Sequence, residues 1–116
     1  MKIQGPGKKI RIYIGEADRW RGQALFNAIV MRARQEGLAG ASVFRGIEGF
    51  GAHSRIHTTS ILQLSEDLPI LVEIVDTAER VDAFLPLLDE MVTEGLITVE
   101  PCEIVKYSPG APKGGA

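Results

Sequence analysis

A chain of 116 residues and 12.6 kDa has room for one domain, since domains typically run to ~100–150 residues. Its 45% hydrophobic and 24% charged composition is that of a soluble globular protein, and a net charge of −2 supplies no basic field for nucleic acid or an anionic membrane. No apolar run approaches the ~20 residues of a membrane span, MKIQGPGKK lacks the apolar core of a secretory leader, and the lone Cys102 excludes an internal disulfide, so the expectation is a cytoplasmic domain.

Residues 1–8 are polar and broken by Gly5, Pro6 and Gly7, and are expected to be flexible. In residues 9–15 (KIRIYIG), Ile10, Ile12 and Ile14 alternate with Lys9, Arg11 and Tyr13, the period of a strand buried on one face. GEADRW follows as a polar turn. From about Gly22 the period becomes helical through Leu25, Phe26, Ile29, Val30 and Ala33, and Gly37 supplies the stop. A second strand is predicted over residues 40–45 and a third over 68–75, where Ile70, Val72 and Ile74 share a face. Asp76 and Glu79 have the spacing of a capping box for a second helix, traced by Val81, Phe84, Leu85, Leu88, Met91 and Val92. Pro86 should kink that helix or disrupt a turn, because it cannot donate to the carbonyl of Asp82. The last strand spans residues 96–107, with a parity change at Pro101 that a bulge or an edge position would explain. Residues 108–116 (SPGAPKGGA) are expected to be a disordered tail.

The order βαβ–βαβ predicts an α+β, ferredoxin-like βαββαβ sandwich over residues 9–107, with a four-stranded antiparallel sheet and two helices on one face. Tyr13, Phe44, Leu71 and Val75 fall on the other face, which is therefore partly apolar. Scattered surface hydrophobes would give the same pattern, but an uncovered apolar sheet face marks an interface, and a homo-oligomer is the favoured reading.

Residues 46–67 form a connection far longer than the median of ~4–6 residues, and such loops tend to carry function. Three glycines (Gly46, Gly49, Gly51) would let the backbone approach a ligand and turn N–H groups toward an anion. Arg45, His53, Arg55 and His57 outweigh Glu48 and make the segment locally positive, and arginine offers planar paired donors to phosphate or carboxylate. Two readings stand on composition alone: an anion-binding loop for a phosphate-bearing small molecule, or a solvated loop with glycines for turns. Other chemistries have less to stand on. His53 and His57 could share a metal only with a third ligand that nothing nearby supplies, and Cys102 reads as a small core residue. No nucleophile–base pair, phosphate-binding P-loop or dinucleotide fingerprint is present, so no enzyme is expected.

Several motifs together have a known counterpart. Tyr13-Ile14-Gly15-Glu16, Phe44-Arg45-Gly46-Ile47, Gly49-Phe50-Gly51, His53-Ser54-Arg55-Ile56-His57, the run Leu64-Ser65-Glu66-Asp67-Leu68-Pro69 and Glu73-Ile74-Val75-Asp76 occur in that order. Over residues 8–107 the chain resembles the PII signal-transduction proteins, and most closely the PII-like family DUF190. The resemblance implies a homotrimer whose long loop corresponds to the PII T-loop. It implies adenine-nucleotide sites in the clefts between subunits, and a regulated partner such as a membrane transporter or an enzyme. By position, Gly49, Phe50 and Gly51 match the loop base beside the nucleotide. The chain also departs from PII. Thr93-Glu94-Gly95-Leu96 lacks the lysine of the PII phosphate loop, the C-terminal arginines are missing, and the modifiable loop tyrosine has no counterpart. These departures leave AMP, ADP or a cyclic dinucleotide as the regulatory ligand, with no other cofactor. The expected ligand-binding residues are Arg45, Gly46, Gly49, Phe50, Gly51, His53 and Arg55, with Arg45 and Arg55 on phosphate. Two alternatives are a metal- or oxyanion-binding ferredoxin-like trimer, motivated by His53 and His57, and an interaction module that needs no ligand.

Overall fold

A computed structural model describes residues 3–51, 57–58 and 67–110. Along the chain run β1 (Ile3–Gly15), β2 (Arg19–Trp20), β3 (Gln23–Ala24), α1 (Leu25–Gln35), β4 (Ala41–Arg45), β5 (Glu48–Gly49), β6 (His57–Thr58), β7 (Pro69–Thr77), α2 (Ala78–Met91) and β8 (Leu96–Tyr107). Four of these strands form one antiparallel sheet in the order β4-β7-β1-β8, which is the expected ferredoxin-like topology.

One face of the sheet builds the core. Ile10, Ile12 and Ile14 on β1 and Ile70, Val72 and Ile74 on β7 meet Leu25, Ala28, Ile29 and Ala33 of α1 and Val81, Phe84, Leu88 and Met91 of α2. The two periods read from the sequence, 2 in the strands and 3.6 in the helices, put these side chains on facing surfaces. Fully burying each large aliphatic contributes roughly 1.5–3 kcal/mol, so this layer supplies most of the driving force for folding.

The structure corrects several local expectations. Residues 3–8, expected to be flexible, belong to β1. The twelve-residue β8 gives them a template, and Gly5, at a φ of +99°, absorbs a bulge where the register shifts between Ile3↔Tyr107 and Gly5↔Ile104. The irregularity predicted at Pro101 therefore lies nearer the end of the strand. Pairing runs through Pro101 opposite Lys8, and Pro101 is tolerated because β8 is a sheet edge. Cys102 and Ile104 consequently share the face of Gly7 and Gly5, away from the helices.

GEADRW opens a small hairpin, β2 with β3, whose central Arg21 and Gly22 both have positive φ (48° and 83°), and α1 starts at Leu25 rather than near Gly22. At the other end of α1, Gly37 (φ +79°) lets Leu38 N–H reach Ala33 O at 3.0 Å and Gly37 N–H reach Arg34 O at 3.1 Å, a Schellman stop. The cap of α2 is Thr77, whose hydroxyl accepts from Arg80 N–H at 3.3 Å, not Asp76. Asp76 is instead wholly buried and accepts from Ala39 N–H at 2.9 Å, tying the start of α2 to the turn before β4. Pro86 leaves α2 continuous, because it sits on the exposed side where the carbonyl of Asp82 can turn to water.

On the sheet face without helices, the register lines up Phe44, Leu71, Tyr13 and Leu96 as one apolar row across all four strands. The expected residues Tyr13, Phe44, Leu71 and Val75 do share this face; Leu96 joins them. The next row is polar. Arg11 lies between Glu73 at 3.3 Å and Glu100 at 3.6 Å, and the hydrogen bond that its Nε donates to Glu73 Oε2 raises the Arg11 pKa above its ordinary range. Further along, Tyr107 at the end of β8 donates through its hydroxyl to Ala39 O at 3.1 Å, crossing from one side of the sheet to the other. The apolar row stays open: Tyr13, Phe44 and Leu96 are 41%, 51% and 56% exposed.

Candidate functional site

The antiparallel register brings the end of β1, the end of β4, and the starts of β7 and β8 to one end of the sheet. Three connections meet there: the β1–β2 turn, the long β4–β7 loop and the turn before β8. Gly95 in that last turn has a φ of +150° and passes so close to β1 that a Cβ would lie 2.8 Å from Tyr13 O. The long loop is therefore carried on a packed platform.

The loop is fixed at both ends by identifiable contacts. At its start, Gly46 N–H donates to Pro69 O at 2.7 Å, and Cβ atoms at Gly46 and Gly49 would stand 2.7 and 3.1 Å from the Pro69 ring. Two of the three loop glycines thus have a structural reason: the partner their backbone approaches is Pro69. The chain then turns so that Glu48–Gly49 pairs with His57–Thr58 as a short two-stranded ladder. At the far end, Glu16 N–H donates to Leu68 O at 2.8 Å, and Asp67 Oδ1 accepts from Ala17 N–H. Gly15 leaves room for this carboxylate, since a Cβ there would lie 2.1 Å from Asp67 Oδ2. Gly15 N–H in turn donates to Asp18 Oδ2 at 2.9 Å.

Arg45 closes β4, and its Nη2 donates to Glu16 Oε2. Arg45 thus stands at the mouth of the loop with an acidic partner. Phe50 and Ile47 are each 75% exposed, and Gly51 is exposed beside Phe50. Of the predicted ligand-binding residues, the structure gathers Arg45, Gly46, Gly49, Phe50 and Gly51 at this one end; His53 and Arg55 lie outside the described residues. His57 falls on the short ladder opposite Gly49. Among the described residues no group of three or more His, Cys, Asp or Glu is disposed to hold a metal ion.

Glu16 and Asp67 were not among the predicted site residues. The sequence marks each only as an acid next to a loop, and what joins them is a pairing of segments about fifty positions apart. A concavity of about 370 Å³ lies at the opposite end of the sheet, between the turn before β4 and the end of β8. Ile3, Val75 and Ile104 give it apolar walls, while its acids are engaged: Asp76 with Ala39, and Glu73 with Arg11.

A one-sided helix layer, this strand order and a long loop between the two inner-sequence strands define a ferredoxin-like protein of PII-like architecture. The chain belongs to the DUF190 family, whose model, described as an uncharacterized ACR, matches residues 7–104. A UPF0166 protein of Methanocaldococcus jannaschii is 34% identical over 100 residues, covering 85% of this chain and 92% of that protein. A UPF0166 protein of Aquifex aeolicus is 36% identical over 98 residues, covering 84% and 92%. Among solved structures, the chain is similar to CPII of Thiomonas intermedia K12 bound to ADP and bicarbonate (TM-score 0.58, 17% identity, 85% of this chain and 88% of that one). It is equally similar in fold to CutA of Synechococcus elongatus PCC7942 (TM-score 0.58, 12% identity, 93% and 86%). At these identities the likeness to the solved structures is one of fold. No described helix is long and apolar enough to cross a membrane.

Proposed function

We propose that this chain is the protomer of a cytoplasmic, homotrimeric PII-like regulator without catalytic activity. It binds an adenine-containing small molecule (AMP, ADP or a cyclic dinucleotide) between subunits and signals through its long loop to a partner such as a transporter or an enzyme. One observation carries the reading: the uncovered row Phe44–Leu71–Tyr13–Leu96 and the base of the long loop occupy the same end of the sheet. A neighbouring subunit that covers the row lies at the end of the sheet that carries the loop base, and a ligand held there by the Gly49-Phe50-Gly51 segment, with Arg45 reaching it from the other face of β4, would contact both protomers. Arg45 and Arg55 supply charge for phosphate, His53 adds a donor, Gly46, Gly49 and Gly51 allow close approach, and Phe50 offers an apolar surface to a base. The shared fold with ADP-bound CPII supports the ligand class.

The test is a thermal-shift panel of AMP, ADP, ATP and cyclic dinucleotides, run with a mass measurement in solution. A trimer stabilised by at least one of these ligands is expected. A trimer that none of them stabilises at millimolar concentration refutes the nucleotide reading, and a monomer refutes the assembly.

A further inference from the structure

We infer that Glu16 is a built-in competitor for Arg45, an internal carboxylate that an anionic ligand must displace, and that its displacement releases the start of the long loop from the β1–β2 turn. The inference rests on the reading of Arg45 as a phosphate contact and concerns the regulation of that site.

The two partners are held very differently. The Glu16 backbone is pinned by its own N–H to Leu68 O at 2.8 Å, by Asp67 on the following N–H, and by Asp18 on the preceding residue's N–H at 2.9 Å. The side-chain space at Gly15 is filled by Asp67, so the turn cannot shift without disturbing the end of the loop. Arg45 sits on a long stem at the last position of an edge strand, with its side chain 61% exposed. A carboxylate carried on a pinned backbone and facing an exposed guanidinium makes a weak ion pair, screened by water. A phosphate group carries more charge than a carboxylate and can accept two parallel guanidinium bonds where Glu16 accepts one, so it can take Arg45 from Glu16.

Exchange also has a structural consequence. The turn Gly15-Glu16-Ala17 holds both ends of the loop: the start through Arg45, and the finish through Asp67 and Leu68. Moving Arg45 onto a ligand removes the first of these links and leaves the second. The Gly46–Pro69 backbone bond keeps the base in register meanwhile. A ligand can then select between two loop arrangements by its differential contact with Arg45 alone.

The test is calorimetric titration of ADP and of adenosine into the wild type, Glu16→Gln, Arg45→Ala and the double variant. Glu16→Gln is expected to tighten ADP binding about two- to fivefold, the range over which an exposed ion pair acts, and to leave adenosine unchanged. The gain should vanish in the Arg45→Ala background and shrink at high salt. ADP affinity that is unchanged or weakened in Glu16→Gln overturns the inference, as does a gain that persists without Arg45. Failure of ADP to bind any of the four proteins instead overturns the nucleotide reading and this competition with it. Binding by Glu16→Gln but not by the wild type supports the competition in its strongest form.

Discussion

Replacing Phe44 by alanine tests whether the open sheet face is an interface. Phe44 is 51% exposed and is the outermost member of a row in which Tyr13 and Leu96 are similarly open. An aromatic side chain presents ~150–250 Å², so covering the exposed half removes roughly 100 Å² from water, or about 2.5 kcal/mol at ~25 cal/mol per Å². Alanine forfeits most of this, and each subunit contact should weaken by about 2 kcal/mol, roughly thirtyfold in its dissociation constant. The isolated protomer should change little, because the ring has no core neighbours to lose. Sedimentation equilibrium gives the association constant, and thermal unfolding at low protein concentration gives the protomer's stability. A variant that assembles as tightly as the wild type refutes the reasoning, and so does one that loses protomer stability without any change in assembly.

Other substitutions probe the rest of the structure. Phe84→Ala, at a position 2% exposed between α2 and the sheet, should cost about 3–5 kcal/mol in denaturant unfolding, in contrast to the exposed Phe44. Thr77→Ala removes the hydroxyl that accepts from Arg80 N–H and should cost about 1 kcal/mol, whereas Glu79→Ala should leave the cap intact. Gly15→Ala forces Asp67 away from the turn and should destabilise the fold by about 1–3 kcal/mol, with less effect in an Asp67→Ala background. Chemical denaturation of the four proteins in that cycle measures the difference, and equal costs in both backgrounds count against the contact.

The parts of the structure that were legible in the sequence are those that local periodicity encodes. Alternating isoleucines in β1 and β7 and the spaced apolar residues of α1 and α2 mark their buried sides without reference to any partner. Gly37 is equally local, since the positive φ it supplies belongs to its own helix stop. What escaped depends on residues far apart in the chain. Pairing of residues 3–8 requires β8 to run on past Pro101, and a tripeptide of glycine and proline alone reads as a break. Asp76 has the spacing of a helix cap, but the turn at Ala39 comes within reach and takes its carboxylate. Gly46 and Gly49 read as ligand-facing because the proline that fills their side-chain space lies twenty or more positions downstream. The acidic partner of Arg45 was hidden for the same reason, being twenty-nine positions upstream.

Phe44 and Arg45 are neighbours on an edge strand, and strand alternation sends them to opposite faces. The first belongs to the uncovered row, and the second meets Glu16 at the loop mouth. A subunit seated on the row and an anion drawn to Arg45 would thus act on adjacent residues of the same short strand. Assembly and ligand binding would then be linked thermodynamically. Whatever factor a ligand adds to the association constant, association must add to the ligand's affinity. Phe44→Ala should therefore weaken ADP binding although its ring faces away from Arg45, and the loss should be recovered as protein concentration rises. A loss independent of concentration would mean that Phe44 acts on the loop within one protomer, and that assembly and ligand are not coupled through β4.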